Sequence, residues 1–306
     1  MARSPSGVTS PARRAARLAA VLAIAVPLLA ACSLDDLPRF GWPRGVTPQA
    51  EKMRVLWSSS AIAGLVVGVL VWGLIFWAVL RYRRRAGAPD LPPQVTHNLP
   101  IEILYTVIPF LIISVLFYYT AVDESFVDHE TGKADLQVSV VGFRWNWKFG
   151  YVGERDNQNR FIETVGSSDQ IPVLVLPVNK KILFTETSPD VIHSFFVPEF
   201  LFKRDVIPGR TNSFEVTVNR TGAFVGRCAE FCGTYHSMMN FEMRAVSTSD
   251  FARWLADRRQ GMSTPDALRD IGQAPYAITT HPFATDRGNL AAPAAGSGSS
   301  GNGGQP

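Results

Sequence analysis

Cysteine is scarce in this sequence, with three among 306 residues, and histidine is hardly more frequent, with five. Three cysteines allow at most one internal disulfide, so a scaffold held together by several cross-links is excluded. A metal site built from thiolates and imidazoles would have to draw on this small set. The positions of these few residues therefore carry much of the information about function.

A strong excess of one charge sign is missing from the part of the chain best suited to fold as a soluble domain. The whole sequence has a formal charge of +4 and a pI near 9.1. Residues 1–122 hold 12 Lys and Arg against 5 Asp and Glu, whereas residues 123–258 hold 15 against 18. This mildly acidic segment lacks the basic surface that nucleic acids require, so nucleic acid is not an expected partner.

The N-terminus has the three regions of a secretory signal. Arg13, Arg14 and Arg17 precede the apolar run LAAVLAIAVPLL, and LAAC follows. The pattern resembles a bacterial lipobox, in which cleavage after residues 1–31 leaves Cys32 as an acylated first residue. The alternative is an ordinary signal peptide whose cleavage site happens to include a cysteine. Either interpretation predicts export, which excludes most intracellular metabolic enzymes.

Two apolar runs are long enough to cross a bilayer, residues 56–80 and residues 99–121. RYRRR, residues 81–85, directly follows the first run and marks its cytoplasmic end by the positive-inside rule. The second run then returns outward after a cytoplasmic loop at residues 81–98. The chain is therefore predicted to be a multi-pass protein of the bacterial plasma membrane, with residues 32–55 outside the membrane.

An ionisable residue, Glu102, lies near the cytoplasmic end of the second run. Such a group usually faces protein or water rather than lipid. This close to the end of the span it can also extend its carboxylate to the interface. Position alone leaves both roles open, and Pro109 in the same run predicts a kink rather than chemistry.

Residues 123–258 consist of short runs rich in Val, Ile, Phe and Thr, broken by Gly, Pro, Asn and Asp. This spacing predicts an all-β sandwich or barrel. SDFARWLADRRQGM at the end of the segment predicts a short closing helix. Residues 259–306 finish in a run of Gly, Ser, Ala and Pro, so a largely disordered tail is expected there.

One stretch, GRCAEFCGTYHSMM, concentrates metal-binding side chains. A disulfide between Cys228 and Cys232 is the simplest interpretation in an oxidising compartment. The nearby His236 and Met239 argue against it, because a bare disulfide requires neither. Zinc accepts thiolates and imidazoles but has little affinity for a thioether, whereas thiolate, imidazole and methionine together suit copper. The set of side chains therefore favours a copper site.

Two thiolates are one more than a mononuclear blue-copper site needs. They can bridge two copper ions, and each ion then still requires an imidazole. The loop supplies only His236, so a second histidine must come from elsewhere. His193, 35 residues before Cys228, is the best candidate. The other histidines fit poorly by position: His97, His129 and His281.

SPDVIHSFFVPEF, KRDVIPGR and CAEFCGTYHSMM together resemble the CuA domain of cytochrome c oxidase subunit II. The resemblance includes GFRWNWKF and the preceding helical hairpin, over residues 55–257. It implies a two-helix transmembrane hairpin followed by an all-β cupredoxin-like domain with a binuclear copper centre. The implied copper ligands are His193, Cys228, Glu230 through its carbonyl oxygen, Cys232, His236 and Met239. Met238 is the alternative thioether.

The same resemblance implies further roles. The Glu230 side chain should help to bind magnesium at the contact with subunit I, and Glu102 should lie at the mouth of a proton-uptake pathway. Trp145, in WNW, should be the point where electrons enter. Strand alternation would place Trp145 and Trp147 on one face of a strand, so either indole could serve.

The expected function is that of an electron-transfer subunit. Electrons from a soluble or membrane-bound cytochrome c would pass through the copper to the haems of subunit I, where oxygen is reduced and protons are pumped. Subunit III and membrane lipid are further expected partners. A quinol oxidase subunit of the same fold would lack the copper ligands, and nitrous oxide reductase would need a large additional domain. An exported lipoprotein with a structural disulfide is the alternative from another class.

Overall fold

The computed structural model describes residues 39–85, 87, 91 and 94–282. The predicted signal peptide, Cys32 and residues 283–306 lie outside the described residues. The described chain divides into two compact units. One contains residues 39–44 and the described part of residues 52–123, and the other contains residues 45–51 and 124–282.

Two long helices dominate the first unit, α1 (Pro48–Arg81) and α2 (Leu99–Val127). Both are long and apolar enough to cross a membrane. Large apolar side chains cover their surfaces; Val69 is 74% exposed and Phe117 is 73% exposed. A surface of this kind requires lipid or protein around it.

Helix α1 begins upstream of its apolar run because a side chain caps its first turn. Thr47 Oγ1 accepts a hydrogen bond from the Ala50 N–H at 3.0 Å, which satisfies one of the backbone donors that every helix start leaves unpaired. The polar residues after Pro48 can therefore join the helix, and the predicted span at residues 56–80 lies within it.

The second unit is a sandwich of two five-stranded sheets. The strands are β1 (Leu136–Phe143), β2 (Asn146–Arg155), β3 (Phe161–Val165), β4 (Val173–Pro177), β5 (Lys181–Thr187), β6 (His193–Phe196), β7 (Lys203–Val206), β8 (Asn212–Thr217), β9 (Gly222–Cys228) and β10 (Asn240–Val246). One sheet has the order β3-β2-β1-β5-β8, and the other has the order β4-β10-β9-β6-β7. The pairs β1–β5 and β4–β10 are parallel, and the others are antiparallel.

Aromatic side chains from both sheets fill the space between them. Trp147 and Phe149 point inward from β2, and their rings contact Phe195 of β6 and Phe241 of β10. All four are at most 2% exposed. Burying a side chain of this size contributes about 2–3 kcal/mol of transfer free energy, so this cluster anchors the end of the sandwich that holds the cysteines.

The folded domain continues past the predicted boundary at residue 258. Helix α3 (Thr248–Arg259) is followed by helix α4 (Thr264–Asp270). Ser263 caps α4 by accepting the Asp266 N–H at 3.3 Å, and the helix buries Ala267 and Leu268. The expectation of a largely disordered tail is therefore corrected for residues 259–282. Helix α4 docks through Ala267 and Leu268, and the segment after it is held by hydrogen bonds to Glu242 and Arg244 of β10.

Candidate metal centre

The end of strand β9 positions the first cysteine of the motif. Phe224, Gly226 and Cys228 point toward the core, because alternate residues of a strand face the same side. A Cβ atom on Gly226 would lie 2.1 Å from the Phe241 ring. Only glycine therefore lets β9 approach β10 closely enough to place Cys228 at the rim of the aromatic core.

The loop at residues 229–239 is fastened at its base to two strands. The Cys228 N–H donates to the Met239 carbonyl at 3.0 Å, and the Ala229 N–H donates to the Ser194 carbonyl at 3.0 Å. A 3₁₀ turn at His236–Met238 then reverses the chain. These contacts fold the second half of the loop back over Cys228.

Four side chains of the motif converge in this loop, together with the predicted distant histidine. The sulfur atoms of Cys228 and Cys232 lie 3.9 Å apart. His193 Nδ1 is 3.8 Å from the Cys228 sulfur, and His236 Nδ1 is 3.6 Å from the Cys232 sulfur. The Met239 sulfur is 3.8 Å from that of Cys232. His193 and Met239 are fully buried.

These separations suit a shared metal ion. Metal–thiolate bonds are about 2.3 Å long and metal–imidazole bonds about 2.0 Å. Two thiol sulfurs 3.9 Å apart are closer than two such bonds laid end to end, so one ion can bond to both. The ligand atoms of His193, Cys228 and Cys232 all lie within 4.8 Å of one another. His236 is not part of that group but lies beside Cys232, so the two imidazoles face different thiols.

Burial and hydrogen bonding move the two thiol pKa values in opposite directions. Burial disfavours the Cys228 thiolate, but hydrogen bonds from His193 and from backbone groups outweigh it and lower the Cys228 pKa to about 7. Burial raises the Cys232 pKa to about 12, and the neighbouring Cys228 charge acts in the same direction. Both thiols are free. A bound cation would supply the positive charge that the second thiolate needs.

Asp190, which the sequence analysis did not single out, orients His193. Its Oδ1 lies 2.9 Å from His193 Nε2, which leaves Nδ1 facing Cys228. Its Oδ2 accepts the Arg144 N–H at 2.7 Å. Burial opposes ionisation of Asp190, but the Arg144 and His193 hydrogen bonds outweigh it and lower the Asp190 pKa to about 2. A carboxylate three residues before a candidate ligand histidine is the signal that could have found it.

The two tryptophans of WNW each donate a hydrogen bond to a backbone carbonyl of the loop. Trp145 Nε1 donates to the Cys232 carbonyl at 3.1 Å, and Trp147 Nε1 donates to the Met239 carbonyl at 3.2 Å. Trp147 is buried in β2. Trp145 lies in the turn between β1 and β2, so the expected strand alternation of the two indoles does not apply.

Trp145 also borders a surface groove of about 580 Å³. The Tyr235 ring packs edge to face against the indole, with centroids 4.9 Å apart. Gly233, at φ +116°, passes beneath the indole, and an added Cβ would lie 3.4 Å from it. The indole therefore spans the distance from the groove to the carbonyl of a cysteine. Met238, the alternative thioether, lines this groove.

The remaining predicted residues occupy different places. The Glu230 carbonyl oxygen accepts from the Cys228 thiol at 3.2 Å, so it lies within the cluster. The Glu230 carboxylate points elsewhere and lies 3.6 Å from Lys203 Nζ. Glu102 belongs to α2, in the other unit, where its carboxylate accepts the Asn98 N–H at 2.7 Å.

Comparisons with known proteins match both units. The cytochrome c oxidase subunit II periplasmic domain matches residues 136–246, and the transmembrane domain of the same subunit matches residues 38–120. A probable cytochrome c oxidase subunit 2 of Nocardia farcinica is 45% identical over 90% of this chain and 89% of its own. The chain belongs to the cytochrome c oxidase subunit II family.

Two further similarities were found. Cytochrome c oxidase subunit 2 of Mycobacterium tuberculosis strain H37Rv is 42% identical over 94% of each chain. The crystal structure of the periplasmic domain of subunit II (CoxB) of Bradyrhizobium japonicum is 35% identical to this chain. It covers 43% of this chain and 98% of its own, with a TM-score of 0.37.

Membership of the family confirms several predictions. The chain is a cytochrome c oxidase subunit II by family, with two apolar helices followed by a cupredoxin-like β-sandwich. His193, Cys228 and Cys232 form a candidate metal site in that sandwich. A lipoprotein with only a structural disulfide does not fit, because both cysteines are free thiols directed at imidazoles.

Proposed function

We propose that this subunit II binds two copper ions in a CuA centre and carries electrons from a cytochrome c to the haems of subunit I, where oxygen is reduced and protons are pumped. One observation supports the binuclear site above others. Two thiols lie side by side, and each has its own imidazole, His193 beside Cys228 and His236 beside Cys232. A mononuclear site would leave one thiolate and one imidazole unused.

The side chains around the centre supply the rest of the ligand set. Met239 offers a buried thioether, and the Glu230 carbonyl offers an oxygen. Cys228 and Cys232 would hold the two copper ions, and such a pair would supply a one-electron carrier whose bond lengths change little on reduction. Asp190 fixes the His193 ring, and the indoles of Trp145 and Trp147 fix two carbonyls of the loop. These hydrogen bonds hold the ligands in place before and after electron transfer.

Electron paramagnetic resonance of the full-length subunit in mild detergent tests this proposal. We expect two coppers per chain and a mixed-valence signal in which one unpaired electron is shared by both ions. Elemental analysis on the same sample gives the metal content independently. A signal from a single type of mononuclear copper, or zinc without copper, would refute the proposal.

Several finer features of the proposed function rest on chain position and on the resemblance. The sandwich lies on the extracytoplasmic side, because RYRRR at residues 81–85 marks the inner end of α1. Cys32 carries lipid that supports assembly. The Glu230 carboxylate contributes to a magnesium site shared with subunit I. To bind magnesium, it gives up its contact with Lys203. Subunit III is a further partner.

Glu102 is proposed to stand at the entrance of a proton pathway that serves subunit I. We expect Glu102→Gln to slow steady-state oxygen consumption several-fold while copper reduction stays fast, because glutamine cannot take up and release a proton. Stopped-flow reduction and oxygen uptake by the purified oxidase measure the two steps separately.

A structural role for the same residue predicts a different pattern. Glu102 accepts the Asn98 N–H at the start of α2, and a glutamine oxygen can accept that bond as well. Glu102→Ala removes the acceptor and is the matched variant. Normal turnover in Glu102→Gln together with lower stability of Glu102→Ala would show that the carboxylate only caps the helix.

A further inference from the structure

The C-terminal strap, residues 272–282, is held to the sandwich by a buried ion pair. Glu242 is 0% exposed and Arg244 is 2% exposed. The Glu242 carboxylate accepts the N–H groups of Ile278 and Thr279 at 2.7 and 2.8 Å. Arg244 donates to the carbonyls of Ala274 and Tyr276 at 3.0 and 3.2 Å. Arg244 also bonds directly to Glu242.

This pair fixes the backbone of the strap firmly. An ion pair that is removed from water is stable only when its remaining donors and acceptors are satisfied, and here the strap backbone satisfies them. Removing either charge would leave the other buried and unpaired, which is strongly destabilising. The strap is therefore an integral layer of the domain, although its composition is that of a loop.

The direction of the strap brings its end to the metal centre. Asn240, Glu242 and Arg244 alternate along β10 and share one face, opposite the core. The strap contacts Arg244 first and Glu242 next. Its last described residue, Pro282, lines the groove beside Trp145, together with Asn240.

The fixed backbone presents apolar side chains to solvent. Tyr276 is 53% exposed and Ile278 is 60% exposed, although their backbone groups are bonded to Arg244 and Glu242. Flexible loops often expose such side chains incidentally. An exposed apolar pair on a backbone held this tightly can be buried by another protein at a low cost in conformational entropy, because the backbone is already ordered.

The groove next to the strap carries little net charge. Among the described residues that line it, Arg144 is the only one with a full charge, and Asp190 neutralises it at 3.5 Å. Tyr235, Met238 and Ile171 supply apolar surface. The groove and the strap together therefore suit a partner whose contact face is mainly uncharged.

We propose that the strap and the groove form one continuous docking surface for the protein that donates electrons, and that Tyr276 and Ile278 select a donor with an apolar contact face. The inference rests on the proposed transfer of electrons through Trp145. The electron donor is the expected partner because Pro282, at the end of the strap, lines the same groove as Trp145.

The test uses the complete oxidase in its own membranes. The probe is the membrane's own pool of c-type haem, reduced with a quinol and followed optically after oxygen is added. The double variant Tyr276→Ser, Ile278→Ser should slow oxidation of this haem about tenfold, as expected when two interface side chains are truncated. Oxygen uptake driven by hexaammineruthenium(II), a small reductant that needs no docking surface, should not change.

Two controls make the result specific. Val152→Ser truncates another half-exposed apolar side chain, six residues along β2 from Asn146 and thus about 20 Å from the groove, and should have no effect. Tyr276→Phe with Ile278→Leu should restore the rate, because both keep the apolar contact.

The outcomes separate the strap from the site of electron transfer. If the double serine variant oxidises the haem normally while Trp145→Phe slows it, the strap is not part of the docking surface and the tryptophan route stands. If Trp145→Phe also has no effect, the route itself is wrong. Loss of another oxidase subunit from the purified double variant would assign Tyr276 and Ile278 to a structural contact and overturn the inference.

Discussion

Cys232→Ser should abolish the mixed-valence copper signal and reduce oxidase turnover with the native donor by at least about a hundredfold, because losing a partner that only orients a ligand already costs about 10–100-fold. The Cys232 sulfur lies within 4 Å of Cys228, His236 and Met239. A serine hydroxyl is a hard ligand that keeps its proton near neutral pH, so it does not replace a soft bridging thiolate. Electron paramagnetic resonance and metal analysis on the purified oxidase measure the change directly.

A pair of methionine variants gives the matched control for the same centre. Met239→Leu removes a buried thioether 3.8 Å from the Cys232 sulfur, so it should alter the copper spectrum. Met238→Leu alters only the groove and should leave the spectrum unchanged. An altered spectrum in Met238→Leu alone would assign the thioether to Met238 and contradict the ligand set proposed above.

Trp145→Phe should slow electron transfer from the native donor about tenfold or more, equivalent to about 1.4 kcal/mol in the barrier. Phenylalanine is shorter than tryptophan and has no N–H, so the contact from the groove to the Cys232 carbonyl is lost. Electron tunnelling weakens steeply with such a gap. Stopped-flow reduction of the oxidase by reduced donor gives the rate, and the optical spectrum confirms that the copper is intact.

Trp147→Phe is the comparison that separates transfer from stability. Trp147 also donates to a loop carbonyl, that of Met239, but it is fully buried and does not line the groove. Its replacement should lower the free energy of unfolding by about 2–3 kcal/mol, through lost packing and a lost hydrogen bond. Equal transfer rates in Trp145→Phe and the unmodified protein would show that the donor docks elsewhere.

The sequence predicted the hairpin and the β-sandwich because both depend on patterns that are local. A span is a single long apolar run, and a sandwich strand is a short one, so neither requires knowledge of distant contacts. The convergence of His193 on Cys228 is not local. Two copper ions require a second imidazole, and the sequence has only five histidines. Few residues other than His193 could therefore supply it.

The features that the sequence analysis missed depend on contacts between distant segments. Asp190 gains its role only when β1 and the β5–β6 connection meet and bring the Arg144 N–H and the His193 ring to its two oxygens. The strap appeared disordered because its own apolar content is small. Its order comes from Glu242 and Arg244, which bond to its backbone. In the sequence alone, these two residues have the pattern of solvent-exposed charges on a strand.

Strand β10 limits which insertions and deletions the loop before it can tolerate. The core side chains Phe241 and Met243 alternate along it with Glu242 and Arg244. A deletion of one codon in the loop at residues 229–239 could shift the strand by one position and exchange its two faces. Glu242 and Arg244 would then enter the core, and their hydrogen bonds to the strap would be lost. In related genes, insertions and deletions should therefore accumulate in exposed turns such as residues 156–160 and be rare in this loop.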